Sequence, residues 1–369
     1  MKNSIRNIVV TVTFCVFIAF FAVFCAIQFF NPVEMSESER RPLAQFPTDI
    51  TWEGIIDKTV IEKFEDYTVD QFPFREFFRS LKANYQINVL HLKEYNGLAF
   101  QNNYIAKIDP AFTDELVDYS LSRLQYINTK FLINNGCKTY ISLVPDKNYY
   151  LGRDYGYPSP DYEALAEKFQ AALPEAEYID IFDCLKLEDY YRTDTHWSQD
   201  KISAVVDKLA AALGVSDSLS GNYTENRLEG FKGVYYGQSA LHPKPDTLVY
   251  LTNDILNACT VYDYETGKTG SIYNLELFEG TDGYDVFLSG TRALLRIDNP
   301  NATTDKELVV FRDSFGSSLT PLLAEGYKSI YVVDIRYVVP DYLGQLIDFE
   351  GKDVLFIYSA LVLNQKAFK

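Results

Sequence analysis

The chain has 369 residues and a formal net charge of −17, with 34 Lys and Arg against 51 Asp and Glu. No clustered basic patch stands ready to displace counterions from phosphates, so nucleic acid is excluded as a partner and tight docking on an anionic lipid surface is disfavoured. Five cysteines without metal-type spacing and three histidines support neither a zinc site nor a disulfide framework, and no cofactor is expected. Aromatic residues make up 15%, a level that suits either an aromatic-rich core or a surface that stacks on sugar rings.

From Ile8 to Phe30 the chain is almost entirely apolar. About 23 such residues are enough to cross roughly 30 Å of hydrocarbon. Lys2 and Arg6 precede this run and no acidic residue does, which keeps the N-terminus in the cytoplasm and places the rest outside. A cleaved signal would show a shorter apolar core and a small-x-small site. The run ends Ala26-Ile27-Gln28-Phe29-Phe30, which offers no such site, and Cys25 behind Phe24 makes a poor lipoprotein site. Residues 1–30 are therefore expected to be an uncleaved membrane anchor. Residues 31–50 read as a polar, proline-containing linker, and 51–369 as one extracytoplasmic domain.

Within that domain, residues 55–95 have a helical pattern with an aromatic face, interrupted at Pro73. A helix is expected over 112–135, a buried strand at Thr139–Val144, a helix over 160–173 and a strand at Tyr178–Ile181. Asp194-Thr195-His196-Trp197 then precedes an amphipathic helix over 199–213, with Ser198 placed to cap it. Residues 216–300 read as an inserted β-rich segment, with strand-like runs near 247–251, 271–277 and 293–297. Strands at Leu308–Phe311, Ile330–Val333 and Val354–Tyr358 then alternate with helices over 316–325 and 341–349. The alternation predicts an α/β fold with a parallel sheet covered on both faces.

Two segments carry the chemistry. Ser314, in Arg312-Asp313-Ser314-Phe315-Gly316, follows a buried strand and opens a helix. Ligands in open α/β sheets collect at strand carboxyl ends, and a helix N-terminus favours developing negative charge. A serine there is either an acyl-transfer nucleophile beside an oxyanion hole or an ordinary helix cap. A serine hydroxyl needs a base, and histidine titrates in the right range. His91 sits in a helical stretch and His242 precedes Pro243 in a loop, whereas His196 has Asp194 two residues away. In an extended segment those two side chains share a side, so Asp194 can hold the imidazole tautomer. The alternative is an Asp–His pair that caps the following helix.

At these residues the chain resembles the AlgX/AlgJ group of SGNH-hydrolase-like proteins, and within it the DHHW family. Ser38-Glu39-Arg40-Arg41-Pro42-Leu43-Ala44, Asp70-Gln71-Phe72-Pro73-Phe74-Arg75, Val144-Pro145-Asp146-Lys147, Asp194-Thr195-His196-Trp197 and Arg312-Asp313-Ser314-Phe315 match family elements in family order. The doubled histidine of the family name is Thr195-His196 here, and Arg312 stands where the nucleophile block has glycine. Asp-x-His also precedes the serine, the rearranged order of this group. The resemblance implies an SGNH-hydrolase-like sheet. It also implies O-acetyl transfer to an exported polysaccharide, or removal from one, with a multi-spanning membrane O-acyltransferase as donor partner. The implied roles are Ser314 as nucleophile, His196 as base then acid, and Asp194 as orienter. Lys147, Asp334 and Arg336 are candidates for substrate contacts, with ion pairing as their alternative. A non-catalytic envelope scaffold or glycan-binding module is the reading from a different functional class.

Overall fold

A computed structural model describes residues 2–369. They form two compact units: the chain up to Tyr95 together with Tyr236–His242, and Asn96–Tyr235 together with Pro243–Lys369.

The first unit begins with the helix Lys2–Phe30. Its stretch Ile5–Phe30 is long and apolar enough to cross a membrane, and none of its most apolar window is packed inside the protein. Shorter helices follow at Thr59–Asp70 and Arg75–Asn84. They are separated around Pro73, whose ring cannot continue an α-helix. Two of the recognised sequence elements meet here. Arg41 donates to both oxygens of Asp70, at 2.8 and 2.7 Å, and the Ala44 amide donates to the same carboxylate at 2.9 Å. The bonds from Arg41 hold the Asp70 carboxyl below the usual carboxylate range, against the opposing effect of burial.

The second unit is built on an eight-stranded sheet. In chain order its strands are β1 (Lys138–Val144), β2 (Glu177–Tyr178), β3 (Thr260–Asp263), β4 (Lys268–Gly270), β5 (Leu294–Asp298), β6 (Glu307–Arg312), β7 (Ser329–Val333) and β8 (Asp353–Ser359). Their spatial order is β4-β3-β5-β7-β6-β8-β1-β2. The five strands from β7 to β2 run parallel, and β5, β3 and β4 extend the sheet as antiparallel additions. Alternate residues of each strand point to opposite faces, and both faces are apolar. In β6, Leu308 and Val310 pack into one core with Val205, Leu209, Leu319 and Leu322. Val309 and Phe311 pack into the other, with Leu121, Leu124, Leu165 and Phe169. Helices Ser203–Leu213 and Phe315–Leu323 thus cover one face, and Asp114–Ile127 and Tyr162–Ala172 the other. This is the parallel α/β sheet, covered on both faces, that the alternation of elements predicts, with three antiparallel strands added at one edge.

Several local expectations are corrected. Residues 271–277 are not a strand: β4 ends at Gly270, and Leu275–Glu279 is a 3₁₀ turn. The Asn274 amide bonds to the Val286 carbonyl of a neighbouring loop, which draws this segment away from the sheet. The helix expected over 341–349 shrinks to Leu343–Leu346, because Ile347 and Phe349 turn inward to fill the core. Ser198 does not cap an α-helix. Its hydroxyl bonds Asp200 at 2.5 Å, a 3₁₀ turn follows at Gln199–Lys201, and the α-helix starts only at Ser203.

Candidate active site

Ser314 lies just past the carboxyl end of β6, at the first turn of the helix Phe315–Leu323. The turn is held by Asp313, a fully buried carboxylate. One oxygen accepts from the Phe315 amide at 3.0 Å and the other from the Ser359 amide, at the end of β8, at 2.7 Å. Ser314 makes no side-chain cap bond to its own helix, so its hydroxyl is free to face His196.

Arg312, in the place of the family's glycine, is 1% exposed and points under the turn. Its guanidinium lies 3.6 Å from Asp334 and donates to the Gly290 carbonyl at 3.4 Å. Burial lowers its pKa, with Asp334 opposing. The close approach passes to Gly316, where a Cβ would come within 2.5 Å of the Arg312 Cβ. A small residue is therefore still required in this block, four positions later.

Asp194 and His196 are not in an extended segment. They sit in a bend closed by the isolated bridge between Tyr190 and Trp197. The Asp194 carboxylate folds back on the bend. Its Oδ1 accepts from the His196 amide at 3.0 Å and bonds His196 Nδ1 at 2.6 Å. Its Oδ2 accepts from the Val234 amide at 2.9 Å. Burial by itself would raise the Asp194 pKa. The nearby imidazole and the N–H donors of His196 and Val234 outweigh it and hold the carboxyl well below the usual range. Thr193, next in the chain, is tied to Asp246 through its amide at 2.8 Å and its hydroxyl at 2.7 Å.

The other ring nitrogen, His196 Nε2, lies 2.7 Å from Ser314 Oγ. The structure thus brings Ser314 against His196, 118 positions away in the sequence, with Asp194 on the far side of the ring. With Asp194 ionised, Nδ1 carries the ring proton and Nε2 presents its lone pair to the serine hydroxyl. Such a chain of bonds can move the serine proton onto the imidazole while the carboxylate stabilises the resulting charge.

The other candidates are placed differently. Lys147 is 2% exposed, and its ammonium donates to the carbonyls of Ile105, Tyr191 and Arg192. Burial lowers its pKa to about 7 despite the facing carboxylates of Asp194, Asp246 and Asp146. Asp334 is fully buried and binds Arg336 in a two-pronged pair at 2.9 and 2.6 Å.

Sequence reasoning missed the residue that lies against His196. The Tyr284 ring stacks on the His196 imidazole at 3.8 Å and 6°. Its hydroxyl donates to Ser318 at 2.7 Å, and Trp197 Nε1 donates to the same Ser318 oxygen at 3.0 Å. Tyr284 comes from the Gly- and Asp-rich stretch that read only as insert, so nothing local marked it. Gly233 was missed too: a Cβ there would sit 2.3 Å from the Asp194 Cβ.

This sheet, with the Ser314 turn at the carboxyl end of a central strand, defines an α/β protein with a mostly parallel sheet flanked by helices. The family model described as DHHW protein matches residues 181–333, a stretch that contains Asp194, His196 and Ser314. A solved DHHW family protein from Eubacterium siraeum has a TM-score of 0.60 at 22% identity, covering 74% of this chain and 94% of that one. Bacillus cereus PatB1, solved with a sulfonyl adduct, has a TM-score of 0.56 at 21% identity, covering 74% and 98%. The O-acetyltransferase domain of Pseudomonas putida AlgJ is more distant, with a TM-score of 0.45 at 15% identity, covering 73% and 93%. No curated protein matches the chain.

Proposed function

We propose that this protein is a membrane-anchored, extracytoplasmic O-acetyltransferase that modifies a cell-surface or secreted polysaccharide. The observation that carries the reading is the bonded line from Asp194 through His196 to Ser314 at the head of a helix.

In this reading Ser314 Oγ attacks the acetyl carbonyl while His196 Nε2 takes its proton. The oxyanion develops beside the positive end of the helix Phe315–Leu323, which favours it electrostatically. The imidazolium returns the proton to the departing donor oxygen, leaving acetyl-Ser314. A sugar hydroxyl then gives its proton to Nε2, attacks the acetyl carbon and restores the serine. Asp194 holds the ring in the productive tautomer throughout. Lys147 and Asp334 serve as props for the surrounding loops. The acetyl donor in this scheme is a multi-spanning membrane acyltransferase, and the helix Lys2–Phe30 holds the domain at the same bilayer. Water in place of the sugar hydroxyl would make the same triad an acetylesterase.

The purified full chain, incubated with p-nitrophenyl acetate, should release nitrophenolate and carry one acetyl group on Ser314 by peptide mass spectrometry. Ser314→Ala should carry none. Oligosaccharides added to the acetylated protein should gain acetyl groups, and free acetate alone would favour the esterase. Wild-type turnover by Ser314→Ala and His196→Ala would defeat both.

A further inference from the structure

The first unit carries an inverted amphipathic helix. In Arg75–Asn84 and the turn that continues it to Val89, the residues Phe74, Phe77, Phe78, Leu81, Tyr85 and Val89 are all exposed. Their spacing follows the helical repeat, so they form one face. The opposite side of the helix is charged and packed inward. The side chains of Arg75 and Arg79 are only 12% and 16% exposed, and both pair with Glu39, itself 13% exposed. Arg75 also pairs with Asp70 at 3.3 Å. A helix that meets water does the reverse, hiding apolar residues and exposing charged ones. A contiguous exposed patch of this kind marks contact with another phase or partner.

What covers the patch follows from its continuity with the apolar helix. Phe74 lies against Phe20 and Phe24, with ring centroids 6.0 and 5.0 Å apart. Phe72 and Phe78 lie against Phe21, at 5.8 and 6.3 Å. Phe21, Phe72 and Phe78, together with Phe17, Ile18, Ala22 and Cys25, line an apolar groove of about 560 Å³ that suits a lipid chain. The depth can be worked out. The apolar stretch has 26 residues. At 1.5 Å per residue it is about 39 Å long, against roughly 30 Å of hydrocarbon. If the hydrocarbon begins at Ile5, it ends about level with Phe24. If it ends at Phe30, Phe20 lies about 15 Å deep, near the midplane. In either limit, Phe20 and Phe24 stand within the leaflet at the C-terminal end of the span, and the residues they touch are level with them.

We infer that the face running from Phe74 to Val89 is immersed in that leaflet, a second membrane attachment lying beside the crossing helix. Trp52 and Ile56 of the same unit are also exposed, at 80% and 79%. The contact is with hydrocarbon and the headgroup boundary, so it needs no anionic lipid, in keeping with the net charge of −17. The inference rests on the reading of Lys2–Phe30 as a membrane span.

The test uses the full chain reconstituted in phosphatidylcholine nanodiscs with brominated acyl chains. Phe77→Trp and, separately, Phe14→Trp are made in a Trp52→Phe background, where Trp197 is buried and serves as the reference. Phe77→Trp should lose most of its added emission to the bromines and little to aqueous acrylamide. Quenching of Phe14→Trp without Phe77→Trp would leave the span standing and overturn the immersed face. Quenching of neither would remove the span and the inference with it. Protection of Phe77→Trp from both quenchers would mean that a second copy or another protein covers the face, and would equally overturn it.

Discussion

Asp194→Asn isolates what the carboxylate does. Oδ1 accepts two N–H groups of His196, at 3.0 and 2.6 Å, and Oδ2 accepts the Val234 amide at 2.9 Å. An asparagine offers one acceptor and one donor in the same space. If its oxygen faces His196, its NH₂ meets the Val234 N–H, two donors face to face in a buried site. If it flips, the NH₂ faces Nδ1, the ring proton moves to Nε2, and the base can no longer take the Ser314 proton. Each lost charge-assisted bond costs about 1.5–3 kcal/mol. The fold should survive, because Thr193 and Arg192 remain tied to Asp246. The rate should not survive: loss of the correct tautomer in a Ser-His-Asp triad lowers kcat by roughly 10⁴-fold. At about 1.4 kcal/mol per tenfold, that is roughly 5.5 kcal/mol of transition-state stabilisation. The assay is the pre-steady-state burst of nitrophenolate from p-nitrophenyl acetate, alongside circular dichroism to check the fold. A burst rate within about threefold of wild type in a folded Asp194→Asn protein would refute the triad reasoning.

Gly233→Ala should act on the same carboxylate from behind. A Cβ would sit 2.3 Å from the Asp194 Cβ and 2.4 Å from the Thr193 carbonyl oxygen, so the bend must move. Displacement of about 1 Å commonly costs about 10²-fold, and acetylation of Ser314 should slow by that order. Tyr284→Phe keeps the ring against His196 and removes only the bond to Ser318, so it should cost about 1 kcal/mol in urea unfolding with turnover nearly intact. Tyr284→Ala, which unseats the imidazole, should lower kcat, and equal kcat values for the two variants would show that the stacking is idle. Lys147 gives a pH signature. Its folded pKa of about 7 lies below the ordinary 10.5, so the unfolded chain binds more protons between those values. The wild type should therefore gain stability as the pH rises from about 7 to 10.5, and Lys147→Met should lack that gain in urea titrations.

Local pattern was enough for the elements whose residues answer to their own neighbours. The run from Ile8 to Phe30, the buried strands Lys138–Val144 and Asp353–Ser359, and the turn at Ser314 all have compositions that leave little choice of state. The short list of candidates for a base was legible too, since of the three histidines only His196 has an aspartate two residues away. Failures came where a segment's partner is distant in sequence. Residues 271–277 have strand-like composition, yet they bond to a loop at Val286, and periodicity carries no information about which edge is vacant. Ser198 has the chemistry of a cap but is taken by Asp200.

Distances were decided by the tertiary structure alone. That Nε2 meets Oγ at 2.7 Å depends on helix packing over β6 and on a bend held by Asp246 and Val234, none of it local to either residue. Arg312, which stands where the resembled block has glycine, is buried beside Gly316, which leaves room for it. The aromatic residues from Phe64 to Phe78 read as an amphipathic face from sequence. Only the inward ion pairs of Arg75 and Arg79 revealed which way that face turns, since amphipathic spacing is the same whether the apolar side meets protein or lipid.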